Sequence, residues 1–214
     1  MTRIVFWFDA ISPFAWLAFE RLPQALEGCS CEVEYRPILF AGLLGHWGQK
    51  GPAEIEPKRA WTFRHVHWLA QRHGIPLDTP SQHPFNPLAL QRLAWACAPA
   101  GGTPNRRVVE AIFRQVWVGG ADANEPSRLA ELTARLAPQR DPAGDEVKAD
   151  LRRTTEEAVR RGLFGVPTTE LDGRLFWGLD GLDMLADALR GGAWWDGPAW
   201  ERESLPRAGV SRRA

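Results

Sequence analysis

The sequence predicts an α/β protein in two parts: a discontinuous sheet-bearing domain (1–41 and 158–214) and an all-helical domain inserted into it (42–157). Three observations carry that prediction. A strand–helix–strand pattern fills the first segment, helical patterns alone fill the middle, and a strand–strand–helix pattern follows them.

Residues 3–9 (Arg-Ile-Val-Phe-Trp-Phe-Asp) are short and nearly all apolar, as suits a strand buried on both faces. Ser12 is a good N-cap and Pro13 is favoured at the first helical position. Phe14, Leu17, Ala18, Leu22, Ala25 and Leu26 then recur at helical spacing over 13–26, with Pro23 expected to bend or end the helix early. Residues 31–38 alternate in polarity and predict a second strand, which makes a βαβ unit with a parallel pair. The stretch 42–57 is rich in Gly and Pro and reads as loop. Helices are expected at 58–73, 87–98, 105–118, 126–137 and 144–162, with no strand candidate between 40 and 165. The sheet pattern returns at 164–171. Asp172-Gly173 is a hairpin signal that lets 174–177 pair back. A last helix is expected at 181–190, stopped by Gly191-Gly192. In the tail 193–214, Trp194, Trp195 and Trp200 are expected to pack, and the last ten residues to be mobile.

Composition excludes several functions. Lys+Arg (26) equals Asp+Glu (26), so the basic excess that drives binding to nucleic acid or anionic membrane is missing. No run of about 18 apolar residues predicts a membrane span. The apolar run that opens the sequence is too short for a signal h-region with a cleavage site and reads as a strand, so no export signal is expected and the expected location is the cytoplasm. Three cysteines (Cys29, Cys31, Cys97) form neither a disulfide framework nor a C-x-x-C pair, and are expected to be reduced. His65 and His67 are two apart, not i,i+4, and His73, His46 and His83 add no ligand spacing, so no metal is expected.

In open α/β sheets chemistry lies beyond the strand carboxyl ends, which points to residues 9–14. Ser12 there can be a plain helix cap or a catalytic hydroxyl, and local sequence does not separate the two. Val166-Pro167 opens the second sheet segment. Since only about 5–6% of X-Pro bonds are cis, its position alone leaves a trans bond open. Gly178-Leu179-Asp180-Gly181 opens the last helix, where free N–H groups attract a carboxylate and Asp180 can serve as N-cap.

The element order is that of a thioredoxin-like domain with an insertion. The segments Phe8-Asp9-Ala10-Ile11-Ser12-Pro13-Phe14-Ala15, Gly48-Gln49-Lys50-Gly51-Pro52, His83-Pro84-Phe85-Asn86-Pro87, Phe164-Gly165-Val166-Pro167-Thr168 and Trp177-Gly178-Leu179-Asp180 come in the family's order. Together they resemble the 2-hydroxychromene-2-carboxylate isomerases, relatives of kappa-class glutathione transferases and of the DsbA-type thioredoxin superfamily. Ser12 stands where thioredoxin-like oxidoreductases place the first cysteine of C-x-x-C. The resemblance therefore implies that the thiol arrives as glutathione, with Ser12 catalytic. It implies a cis Val166–Pro167 bond, Val166 pairing with the cysteinyl backbone of glutathione, and Gly178, Leu179, Asp180 and Gly181 holding its γ-glutamyl end. It also implies that Phe14, Trp47, Glu54, Lys58 and Asn86 line the site of a small aromatic carboxylate. Apart from the resemblance, Trp16, Trp47, Trp61 and Trp68 can be walls for a flat aromatic substrate, and core packing explains them equally well. Where this chain has Gly181 the family often has Arg. Relatives are often homodimers.

The implied reaction is the interconversion of 2-hydroxychromene-2-carboxylate and trans-o-hydroxybenzylidenepyruvate by reversible thiolate addition and bond rotation, a step of naphthalene-type aromatic catabolism. A free thiol of pKa about 8.5 is only about 3% thiolate at pH 7, and making thiolate dominant takes about 2.7 kcal/mol. A hydrogen bond to the charged sulfur contributes about 1.5–3 kcal/mol and a helix N-terminus about 0.3–1, so Ser12 and its helix suffice together. Two alternatives stay open: a kappa-like transferase or peroxidase that consumes glutathione, and a non-catalytic thioredoxin-like binding module.

Overall fold

The computed structural model describes residues 1–197 and 199–200; the expected mobile end of the tail lies outside them. Among these described residues four strands form one sheet in the order β2-β1-β3-β4. β1 (Thr2–Phe8) pairs in parallel with β2 (Cys31–Pro37), Thr2 opposite Cys31 and Phe8 opposite Pro37. Antiparallel β3 (Thr168–Leu171) lies on its other side, Phe6 opposite Thr169, and the Asp172-Gly173 turn returns the chain as β4 (Arg174–Trp177).

The β1 run is apolar throughout because both faces of the sheet are covered. Ile4, Phe6 and Phe8 face a large core with α1 (Pro13–Ala25), α5 (Arg106–Trp117) and α8 (Gly181–Arg190). Val5 and Trp7 face a smaller one with α2 (Phe40–Trp47) and α7 (Asp145–Arg160), through Leu43 and Ala158. The Phe113 ring of α5 sits 5.2 Å from Phe8 and 5.3 Å from Phe19, so the inserted helices share the core of the sheet. The remaining helices are α3 (Glu56–His73), α4 (Leu88–Ala96), α6 (Pro126–Leu136) and the single turn α9 (Ala193–Asp196).

Four local readings are refined. The start of the 42–57 stretch, read as loop because of its Gly and Pro content, belongs to helix α2 (Phe40–Trp47). Gly42 is there for packing: a Cβ on it would lie 2.6 Å from Thr155 Cγ2 on α7. Pro23 does not end α1 early, because the helix runs on to Ala25. The Phe19 carbonyl, which loses its usual donor to the proline ring, accepts from the Arg106 guanidinium at 3.2 Å. Trp16 is no wall of a site but fully buried core, its indole N–H donating to the Pro76 carbonyl at 2.9 Å. In the tail, Trp195 is buried against Phe176, while Trp194 is half exposed.

Candidate active site

Ser12 has the extended backbone of an N-cap (φ −88°, ψ 116°) and ends the β1–α1 loop. Its side chain is nearly buried. The hydroxyl oxygen accepts from Ala15 N at 3.2 Å, and the hydroxyl donates to the Val166 carbonyl at 3.1 Å. Ser12 is thus a cap and a bridge at once. The first turn of α1 holds no acidic residue, so nothing on the helix offsets the partial positive charge at its N-terminus.

The loop before Ser12 is held by side chains from distant elements. Gln91 of α4, fully buried, donates to the carbonyls of Phe8 (3.0 Å) and Ile38 (2.8 Å) and accepts from Ala10 N (3.3 Å). Trp117 of α5 donates to the Ala10 carbonyl at 2.9 Å. His83 reaches the Ile11 carbonyl through Nε2 at 2.9 Å. A carbonyl only accepts, so Nε2 carries the proton. Burial holds His83 below its ordinary pKa, and its buried Nδ1 has no partner.

Asp9 lies beneath this loop, fully buried. One carboxyl oxygen accepts from Ile11 N at 3.1 Å, the other from Phe40 N at 2.9 Å, which ties the loop to the start of α2. Burial pushes its carboxyl from 3.8 up to about 7 against the lowering effect of those two N–H groups. Asp9, Gln91, His83 and Trp117 were not singled out from the sequence. Asp9 and His83 stand inside quoted segments, whereas Gln91 and Trp117 carry no local signal.

Val166 and Pro167 are buried beside Ser12, and the bond between them is cis, as is His83–Pro84. The Pro167 carbonyl accepts from Gly178 N at 2.9 Å, which joins the Val-Pro and Gly-Leu-Asp segments. Gly178 needs its freedom (φ +87°), and a Cβ there would lie 2.5 Å from Asp180 Oδ1. Asp180 precedes α8 in helical rather than extended conformation and makes no side-chain cap bond, so its exposed carboxylate is not spent on its own helix. Gly181 has no room for a side chain, since a Cβ would sit 2.9 Å from the Phe176 carbonyl carbon. The arginine that the resemblance leads one to expect there does not fit this backbone.

The expected substrate residues divide. Trp47, half exposed at the end of α2, donates to the Leu163 carbonyl at 2.8 Å, which anchors it to the segment leading to Val166. Phe14 meets the edge of His65 at 5.8 Å, and His65 is stacked between exposed Trp61 and Trp68 of α3. Lys58 is exposed in the first turn of α3. Glu54 is occupied locally, accepting from Gly51 N at 2.6 Å. Asn86 opens α4, its Oδ1 accepting from Leu88 N at 3.0 Å, which leaves its amide NH2 as a donor.

No thiol belongs to this site. Cys29 and Cys31 flank the entry to β2, and Cys97 follows α4 with its thiol pushed up to about 11 by burial. Among the described residues no group of three or more His, Cys, Asp or Glu side chains is placed to hold a metal, and no helix is long and apolar enough to cross a membrane.

The DSBA-like thioredoxin domain model matches residues 3–190. A 2-hydroxychromene-2-carboxylate isomerase of Sphingobium xenophagum is 30% identical over 203 residues, covering 88% of this chain and 99% of its own length. Glutathione S-transferase kappa 1 of Homo sapiens is 28% identical, covering 89% of this chain and 91% of its own. A solved 2-hydroxychromene-2-carboxylate isomerase structure superposes with a TM-score of 0.76 at 24% identity, over 88% of this chain and 94% of that one. With a thioredoxin-like sheet, a serine at the head of α1 and these matches along its length, the chain belongs to the DSBA-like thioredoxin domain family, in the group that holds the 2-hydroxychromene-2-carboxylate isomerases and kappa-class glutathione transferases.

Proposed function

We propose that the protein is a glutathione-dependent isomerase that interconverts 2-hydroxychromene-2-carboxylate and trans-o-hydroxybenzylidenepyruvate. The observation that carries this reading is Ser12: a nearly buried hydroxyl at an uncompensated helix N-terminus, 3.1 Å from the Val166 carbonyl. The isomerase relative at 30% identity and the kappa transferases support it.

Glutathione, when bound, supplies the thiol nucleophile that residues 12–15 lack. Ser12 turns its O–H from the Val166 carbonyl toward the sulfur and stabilises the charged form, with the N-terminus of α1 behind it. Val166, released from Ser12, offers its carbonyl to the cysteinyl N–H as a one-residue strand addition. Asp180 takes the ammonium of the γ-glutamyl group, while Gly178, Leu179 and Gly181 let the backbone approach. On the helical side, Phe14 and Trp47 present ring faces to a flat aromatic acid, Lys58 pairs with its carboxylate, and the Asn86 amide donates to a substrate oxygen. Glu54 acts at one remove, by fixing the turn before α3.

The test is an isomerase assay on the chromene acid with and without glutathione. Turnover that needs glutathione is expected, and activity in its absence overturns the reading. A kappa-like transferase remains a second reading because of the kappa relatives. Free glutathione measured before and after many turnovers separates them, since the isomerase leaves it unchanged and the transferase depletes it.

A further inference from the structure

A cavity of about 340 Å³ lies between α2, α4 and α7, lined by none of the Ser12, Val166 or Gly178 segments. Its apolar lining is Leu39, Leu88 and Leu151, and three cationic side chains, Arg92, Lys148 and Arg152, join them. At water's share of about 30 Å³ per molecule, the volume holds a ligand of about ten heavy atoms.

The charges there are incompletely matched. Lys148 is paired with Asp145 at 3.1 Å, and the other ion pairs along α7 draw on Arg140, Arg153, Arg36 and Arg161. Among the described residues neither Arg92 nor Arg152 has an ion-pair partner within 4.0 Å, and Glu156 is the one acidic group in the lining. Two free guanidinium groups against one carboxylate leave about one positive charge. The Nε of Arg92 is also buried with no hydrogen-bond partner. A buried guanidinium donor without an acceptor is costly, and with no acidic partner beside it the Arg92 charge stays uncompensated.

We propose that this cavity is a second ligand site, which takes a small organic monocarboxylate with an apolar body of about six carbons. The guanidinium fork matches a carboxylate in two-point geometry, and the three leucines match the chain behind it. The chain as a whole is neutral, so the attraction is local to this cavity and not a general affinity for anions.

Backbone amide shifts followed by NMR while hexanoate is added, with acetate and hexanol as controls, test this. Hexanoate is expected to give saturable shifts at Leu39, Gly42 and Leu151. Acetate, lacking the apolar body, and hexanol, lacking the charge, should each bind about 10-fold more weakly or worse. Arg152→Met and Arg92→Met should each weaken hexanoate by about 5-fold or more. Should Arg92→Met fail to fold because of its place beside Gln91, Arg152→Met decides alone. Shifts confined to the Ser12 loop, no saturation by about 10 mM, or equal binding of hexanol each overturn the proposal.

Discussion

The hydroxyl of Ser12 donates to the carbonyl of Val166 at 3.1 Å, so the two groups proposed to meet glutathione are bonded to one another. Binding under that reading is an exchange: one internal bond opens and two bonds to the tripeptide replace it. Ser12→Ala removes the opening bond and the sulfur's partner together. Glutathione affinity should change by less than about threefold, whereas turnover should fall about 10- to 100-fold and the thiol pKa of bound glutathione should rise by about 1–2 units. Ultraviolet titration of the thiolate beside steady-state kinetics reads both. Parallel losses in affinity and turnover would mean that Ser12 only anchors glutathione.

Asp9 makes stability depend on pH in a direction opposite to that of most carboxylates. Its folded pKa is raised from 3.8 to about 7. The folded state therefore holds the proton more tightly than the unfolded chain between those values. The stability associated with Asp9 is present below about pH 4, falls as pH rises to about 7, and is level above that; the shift corresponds to at most about 4 kcal/mol. Urea denaturation at pH 5 and pH 8 should show the advantage of wild type over Asp9→Asn shrinking at the higher pH. A gap that does not change with pH would contradict it.

Asp180 and Gly178 should separate affinity from folding. Asp180→Ala removes an exposed carboxylate that does not cap α8, so the melting temperature should hold while glutathione binding weakens about 10-fold. Gly178→Ala places a Cβ at φ +87°, 2.5 Å from Asp180 Oδ1, and should lose about 1–2 kcal/mol of stability as well as affinity. Calorimetric titration and thermal unfolding of both variants check the contrast.

Gln91→Leu should be among the most damaging conservative-volume changes in α4. It leaves the Phe8 and Ile38 carbonyls and the Ala10 amide without the bonds that Gln91 makes. The expected loss is about 3 kcal/mol or more, seen as a lower urea midpoint. Retained stability would show that water or a shifted loop satisfies those groups.

Much of the fold was legible because its signals are local. The apolar β1 run, the Ser12-Pro13 cap, the Asp172-Gly173 turn and the Gly191 stop each act within a few residues, and the elements begin and end close to them. Helix α2 was not legible, because Gly42 argues for loop by propensity while the close approach of Thr155, far along the chain, decides for helix. Trp16 was legible as an aromatic at a helix start, wall or core alike, but not as core alone, since the groups that bury it come from α5 and from the segment around Pro76. In the candidate site, Ser12, Val166 and Gly178 were picked out through the family's motifs, and the fold brings their segments together. Gln91 and Trp117 were not, for their partners lie 53 to 107 residues away and nothing beside them in the chain marks the pairing. His83 stands inside a quoted segment, but nothing there marks its bond to Ile11, 72 residues away.

Those three distant side chains have a consequence for how the site can be moved. The loop from Phe8 to Ile11 is held by α4, by α5 and by the segment around cis-Pro84. Residues 1–41 grafted onto another thioredoxin-like sheet would carry the serine and its helix but not the struts that aim them. Ser12 is thus not a portable motif, and a working transplant has to bring the helical insertion with it.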